Sequence, residues 1–109
     1  MKDDRVYLLH VRDAVQRILE YTSEGREAFF QDAKTQDAVV RNLEIVGEAV
    51  KHLSDAGKSA CPEVPWKRVA GMRDKLIHEY FGVNLALVWD VVALDLPNLK
   101  ACIDRVLGE

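Results

Sequence analysis

Val39-Val40-Arg41-Asn42-Leu43-Glu44-Ile45-Val46-Gly47-Glu48-Ala49-Val50-Lys51-His52-Leu53 places Val39, Leu43, Val46, Val50 and Leu53 at alternating steps of four and three. That spacing draws one apolar stripe along an α-helix and suits lengthwise packing against other helices. A half-buried strand would alternate every second residue instead. The stretch predicts a helix from Asp32 or Thr35 to about Ser54, ended by Asp55-Ala56-Gly57, with Arg41, Asn42, Glu44 and Glu48 beside the stripe. Gly47 lies inside it, where glycine costs about 1 kcal/mol relative to alanine. Its presence there implies close approach of another backbone.

The same period extends both ways. Leu8, Val11, Val15 and Ile18 mark an earlier helix from about Arg5 to Tyr21, with Asp3 and Asp4 as candidate caps and Gly25 just past its end. Between the two, Glu27 to Gln31 carries Phe29 and Phe30 as core plugs. Lys58 to Val64 reads as a loop, and Pro65 suits the first position of a third helix bearing Val69, Met72, Leu76 and Tyr80. Asn84 caps a fourth, with Leu85, Val88, Val92 or Val91, Leu99, Ile103 and Val106 on its buried side. Pro97 sits within that run, so a kink, or a restart capped by Asp95, is expected. The fold expected is an all-α, up-and-down bundle of four to five helices in one domain over residues 1–109.

Composition narrows the class. A chain of 109 residues with 49% hydrophobic and 30% charged side chains is long enough for one core without staples. Cys61 and Cys102 are too few and too unpatterned for a disulfide framework or a zinc site, so a reducing cytoplasm fits best, with Cys61 expected as an ordinary free thiol. The charged opening lacks a secretory apolar region, and Asp90 and Asp95 interrupt the most apolar run, which excludes a membrane span. The net charge of -3 argues against bulk electrostatic binding of nucleic acid. Between Pro65 and Tyr80, however, four cations (Lys67, Arg68, Arg73, Lys75) stand against two anions (Asp74, Glu79), and an anionic ligand would find that segment.

Arg73-Asp74-Lys75-Leu76-Ile77-His78-Glu79-Tyr80 is the densest chemistry in the chain. Arginine offers a planar fork of donors for a phosphate, histidine exchanges protons near neutrality, and tyrosine adds a modifiable hydroxyl. On a continuous helix Arg73 and His78 project about 140° apart, so one straight helix cannot easily aim both at one phosphate. Either the helix ends around His78 or two copies share a cleft. Each residue also has a structural reading: Arg73 as an ion-pair partner of Glu44 or Glu48, His78 as a helix-end histidine, and Tyr80 as a core anchor. His10, His52 and His78 are too scattered for a metal site, and no glycine-rich phosphate loop occurs.

The pattern Arg-x4-His-x-Tyr at Arg73, His78 and Tyr80 is flanked by Pro65-Trp66, by Gly71-Met72 and by Phe81-Gly82-Val83-Asn84. Together with Arg41-Asn42-Leu43-Glu44-Ile45-Val46-Gly47-Glu48-Ala49, it resembles the HepT-like branch of the HEPN superfamily over essentially the whole chain. The resemblance implies a helical homodimer, joined through its long helices, in which two motifs line one cleft. It implies a ribonuclease needing no metal or cofactor, the toxin of a toxin–antitoxin pair whose partner is a minimal nucleotidyltransferase. On this resemblance Arg73 and His78 are the catalytic pair on RNA, possibly transfer RNA, and Asp74 supports Arg73. Tyr80 is the hydroxyl that the partner modifies with AMP. The alternative is a non-catalytic helical dimer that binds nucleotide or serves as an adaptor for the nucleotidyltransferase.

Overall fold

A computed structural model describes residues 2–78 and 84–108, leaving out the side chains of Lys2, Asp3, Arg73, Leu76, Ile77 and His78. Among them no strand occurs, and the all-α bundle is borne out. The helices are α1 (Lys2–Tyr21), α2 (Arg26–Gln31), α3 (Ala33–Lys51), α4 (Asp55–Ser59), α5 (Trp66–His78), α6 (Leu85–Asp90) and α7 (Leu96–Leu107). A π-helical segment, Val91–Asp95, joins the last two. α3 is the central member, packed against α1 on one side and α5 on the other, while α7 covers α1.

Local chemistry explains the boundaries. Asp32 Oδ1 accepts from the Lys34 and Thr35 amides at 3.0 and 3.4 Å, satisfying donors that the first turn of α3 leaves open. Asn84 does the same for α6, its Oδ1 accepting from the Leu87 amide at 3.1 Å. Gly25, with φ 97°, supplies the left-handed turn between α1 and α2. Val39, Leu43, Val46, Val50 and Leu53 are all buried, as their spacing demands, and so is Gly47. Asn42 is buried as well, its Nδ2 donating to Ala38 O at 2.9 Å.

Four expectations are corrected. α3 stops at Lys51, and Asp55-Ala56-Gly57 opens α4 rather than ending the previous helix. Ser54 is the reason, because its hydroxyl accepts from the Gly57 amide at 3.0 Å and caps a new helix. Asp4 does not cap α1; it lies inside that helix and turns its carboxylate to Ser54, accepting from the amide at 3.0 Å and from the hydroxyl at 2.6 Å. Asp95 makes no capping bond to α7; its buried carboxylate accepts from Arg68 of α5. The chain does restart near Pro97, through the π segment, in which the Leu96 amide reaches back to Val91 O. Proline cannot donate to the carbonyl four residues back, and a π turn is one way a helix absorbs that loss. The extra residue per turn also buries both Val91 and Val92.

Cys61 and Cys102 are not free thiols. They are joined as a disulfide, with Cα atoms 5.9 Å apart across 41 residues of sequence. α7 lies over the loop after α4 and brings the two buried sulfurs together, which neither count nor spacing revealed. Arg105 of α7 reinforces the seam by donating to Ala60 O at 3.3 Å and to Glu63 at 2.8 Å. The inference from free thiols to a reducing compartment therefore loses its premise. No helix among the described residues is long and apolar enough to cross a membrane.

Candidate active site

α5 is the element that carries the motif, and it is fixed at several points. Trp66 anchors its start, the indole Nε1 donating to Lys58 O at 2.9 Å and Cys61 O at 3.0 Å. Val69 and Met72 are buried one turn further on, and Arg68 ties the opposite flank to Asp95 of the π segment. The helix is then unbroken to His78. Positions 73 and 78 therefore stand on one rod, about 7.5 Å apart along its axis. α5 is described as far as His78, the residue around which the sequence reading allowed the helix to end.

Asp74 is engaged from another helix. Lys51 Nζ, at the end of α3, donates to Asp74 Oδ1 at 2.8 Å. The expectation that Asp74 orients Arg73 gains a second partner that sequence reasoning did not name, since nothing local links a lysine to an aspartate 23 residues away. The side chains of Arg73 and His78 lie outside the described residues, and so does Tyr80 altogether. Glu44 and Glu48, considered as partners for Arg73, have contacts of their own: Glu44 lies 3.6 Å from Arg41, and Glu48 lies 3.7 Å from His52.

The course of α5 relative to α3 follows from two landmarks. Asp74 meets Lys51 at one end, and Leu85 lines a cavity of about 290 Å³ with Gln36, Asp37, Val40, Arg41 and Glu44 toward the other. The chain is thus beside the end of α3 at Asp74 and beside its first half at Leu85, the start of α6. On the other flank of α3 a groove of about 540 Å³ is lined by Tyr7 and His10 of α1 with Arg41, Glu44, Glu48 and His52. There the Tyr7 ring stacks on His52 at 4.9 Å and 12°. His10 and His52, scattered in sequence, are thus brought to one groove by the packing of α1 on α3. Among the described residues no group of His, Cys, Asp and Glu is placed to hold a metal ion.

A family model described as ribonuclease HepT-like matches residues 11–106. The chain belongs to this HepT-like family. Relatives agree: it is 46% identical over 101 residues to a "probable ribonuclease HepT" of Thermococcus cleftensis, covering 92% of each chain. It is 44% identical over 109 residues to a "putative RNase" of Methanocaldococcus jannaschii, covering 99% of this chain and 90% of that one. A third relative, from the same organism, is named "gamma-glutamylcyclotransferase and putative RNase"; it is 44% identical over 109 residues, and this chain spans 49% of its length. No solved structure matches the chain. The HepT-like match covers α3 and α5 entire, so both stretches that carried the resemblance lie within it.

Proposed function

We propose that this chain is a metal-independent endoribonuclease, the toxin of a toxin–antitoxin pair, acting as a homodimer on RNA, with transfer RNA the expected class. Arg73 holds the scissile phosphate and the charge that develops on it, a donor placed where the transition state gains negative charge. His78 acts as general base toward the ribose 2′-hydroxyl, whose oxygen attacks phosphorus. It then returns the proton to the departing 5′-oxygen. The bond formed is 2′-O to P and the bond broken is P to 5′-O, so the products end in a 2′,3′-cyclic phosphate and a 5′-hydroxyl. Asp74, held by Lys51, steadies the turn of α5 that bears Arg73. The partner nucleotidyltransferase transfers AMP from ATP to the Tyr80 hydroxyl, whose oxygen bonds to the α-phosphorus as pyrophosphate departs, and the bulky anion occupies the phosphate site.

The observation that carries this reading is the HepT-like family match across residues 11–106. The continuity of α5 through His78 supports the two-copy form of the site, because one helix spreads positions 73 and 78 around its circumference. The test is RNA incubated with purified protein in excess chelator. Wild type is expected to leave cyclic-phosphate ends, and His78→Ala and Arg73→Ala to leave the RNA intact. RNA left intact by wild type as well overturns the nuclease and favours the adaptor dimer. Co-expression with the nucleotidyltransferase should add AMP mass to wild type and none to Tyr80→Phe.

A further inference from the structure

Cys61 is the node of the segment that joins α4 to α5. Its carbonyl accepts from the Trp66 indole at 3.0 Å and from the Val64 amide at 3.2 Å, and its own amide donates to Lys58 O at 3.1 Å. The bond from Trp66 seats the start of α5, the helix that bears the motif. The Cys61 sulfur is joined to Cys102 of α7 and also accepts from Arg105 Nη2 at 3.1 Å. The two sides of the disulfide differ in stiffness. Cys102 shares α7 with the buried Leu99 and Ile103, whereas Cys61 lies between the exposed Ala60 and Pro62. The Arg105 side chain that touches the Cys61 sulfur is 57% exposed. A bond that only braces the fold needs no cation on its sulfur.

We propose that the Cys61–Cys102 bond is a thiol–disulfide switch on the seating of α5, opened by a dithiol reductant. Reduction leaves two non-bonded sulfurs, which need about 3.5–4.0 Å between centres, where a covalent bond held them together. α7 is fixed in the core by Leu99 and Ile103, so the loop side gives way. Cys61 then carries its carbonyl off the Trp66 indole, and the first turn of α5 loses the anchor that sets it against the end of α4. Reoxidation restores it.

The exposed side is also where the reductant enters. Its thiolate, drawn by the Arg105 guanidinium, attacks the Cys61 sulfur and forms a mixed disulfide as the native S–S bond breaks. Cys102 departs as a thiolate and takes up a proton. The reductant's second thiol then attacks the reductant's own sulfur in the mixed disulfide, and Cys61 leaves as a thiolate beside Arg105, a neighbour that favours that form. Two electrons pass to the protein, both cysteines end reduced, and the reductant leaves as its own disulfide. The switch does not rest on the ribonuclease reading; its effect on RNA does.

Dithiothreitol added to the folded wild type tests the switch. Alkylation and intact mass should find both thiols free without denaturant. In hydrogen exchange, the amides of residues 69–72 in α5 should exchange about fivefold or more faster than in the oxidised chain, with α1 and the middle of α3 unchanged. Oxidised dithiothreitol should restore their protection. Glutathione in place of dithiothreitol should leave its adduct on Cys61 rather than Cys102. Cys61→Ala with Cys102→Ala should show no response to dithiothreitol. A bond that resists dithiothreitol until denaturant is added, α5 exchange that ignores reduction, exchange that rises equally throughout the bundle, an adduct on Cys102, or a double variant that responds like wild type overturns the proposal. On the ribonuclease reading, RNA cleavage should fall on reduction and return on reoxidation. The two readings fail separately. RNA cleaved by a chain whose α5 exchange ignores reduction removes the switch and leaves the nuclease, whereas a reversible change in exchange with RNA intact in both states does the reverse.

Discussion

Lys51, the last residue of α3, holds Asp74 in the middle of α5 at 2.8 Å from Nζ to Oδ1, joining the bundle's central helix to the one that bears the motif. The pair is solvated, with side chains 34% and 50% exposed, so its role is to set the register between α3 and α5 rather than to supply stability. Exposed pairs contribute about 0.2–1 kcal/mol. In a double-mutant cycle of Lys51→Ala and Asp74→Ala, denaturant unfolding should give a coupling within that range, reduced at high salt. On the ribonuclease reading, either variant should lose more in RNA cleavage than its stability change accounts for.

The Asp4 carboxylate sits within two hydrogen bonds of Ser54. The bond from the Ser54 hydroxyl, and then that from the Ser54 amide, holds its pKa below the usual 3.8. A carboxyl lowered in the folded state contributes stability that is complete above the unfolded pKa and is lost as pH falls through the folded one. Asp4→Asn should cost about 1–3 kcal/mol at neutral pH. The gap to wild type should narrow as pH drops below about 4. Asp32, lowered by the Thr35 hydroxyl, and Glu63, lowered by Arg105, slope the same way in both proteins. Only the difference between the two unfolding curves therefore reports on Asp4.

Two glycines should respond to alanine in opposite directions. A Cβ on Gly57 would collide with the Asp4 carboxylate and lie 3.4 Å from the Ser54 hydroxyl, so Gly57→Ala must break the tie between α1 and α4. A loss of about 1–3 kcal/mol is expected in thermal or denaturant unfolding. Gly71, exposed in α5, has nothing within 4 Å of a new Cβ. Gly71→Ala should stabilise by about 0.5–1 kcal/mol through helix propensity and a less disordered unfolded chain.

The Cys61–Cys102 bond closes a loop over 41 positions of sequence. Loop-closure entropy for that length corresponds to about 2–4 kcal/mol. Thiol titration of the unreduced, denatured chain should find no free thiol. Reduction, or Cys61→Ala with Cys102→Ala, should lower the free energy of unfolding by that amount while leaving the helical signal in place. A full complement of free thiols would refute the pairing.

What this sequence determined by itself was whatever repeats within a few residues. The steps of Val39, Leu43, Val46, Val50 and Leu53 set α3 and its buried face, Asp32 and Asn84 set where helices begin, and Pro65 set the start of α5. The side chains responsible and the backbone they act on lie within one or two turns, so the signal is local. The HepT-like motif was legible for the same reason, because most of its residues fall on one helix. Contacts between distant segments left no such trace. Asp4 looked like a cap for its own helix and serves Ser54 fifty residues away; Cys61 looked solitary until α7 reached it; His10 and His52 share a groove because α1 lies on α3. Closing a longer loop costs only slightly more entropy than closing a shorter one, so sequence distance does not say which residues will meet. Only the burial of several apolar stripes in one core decided that.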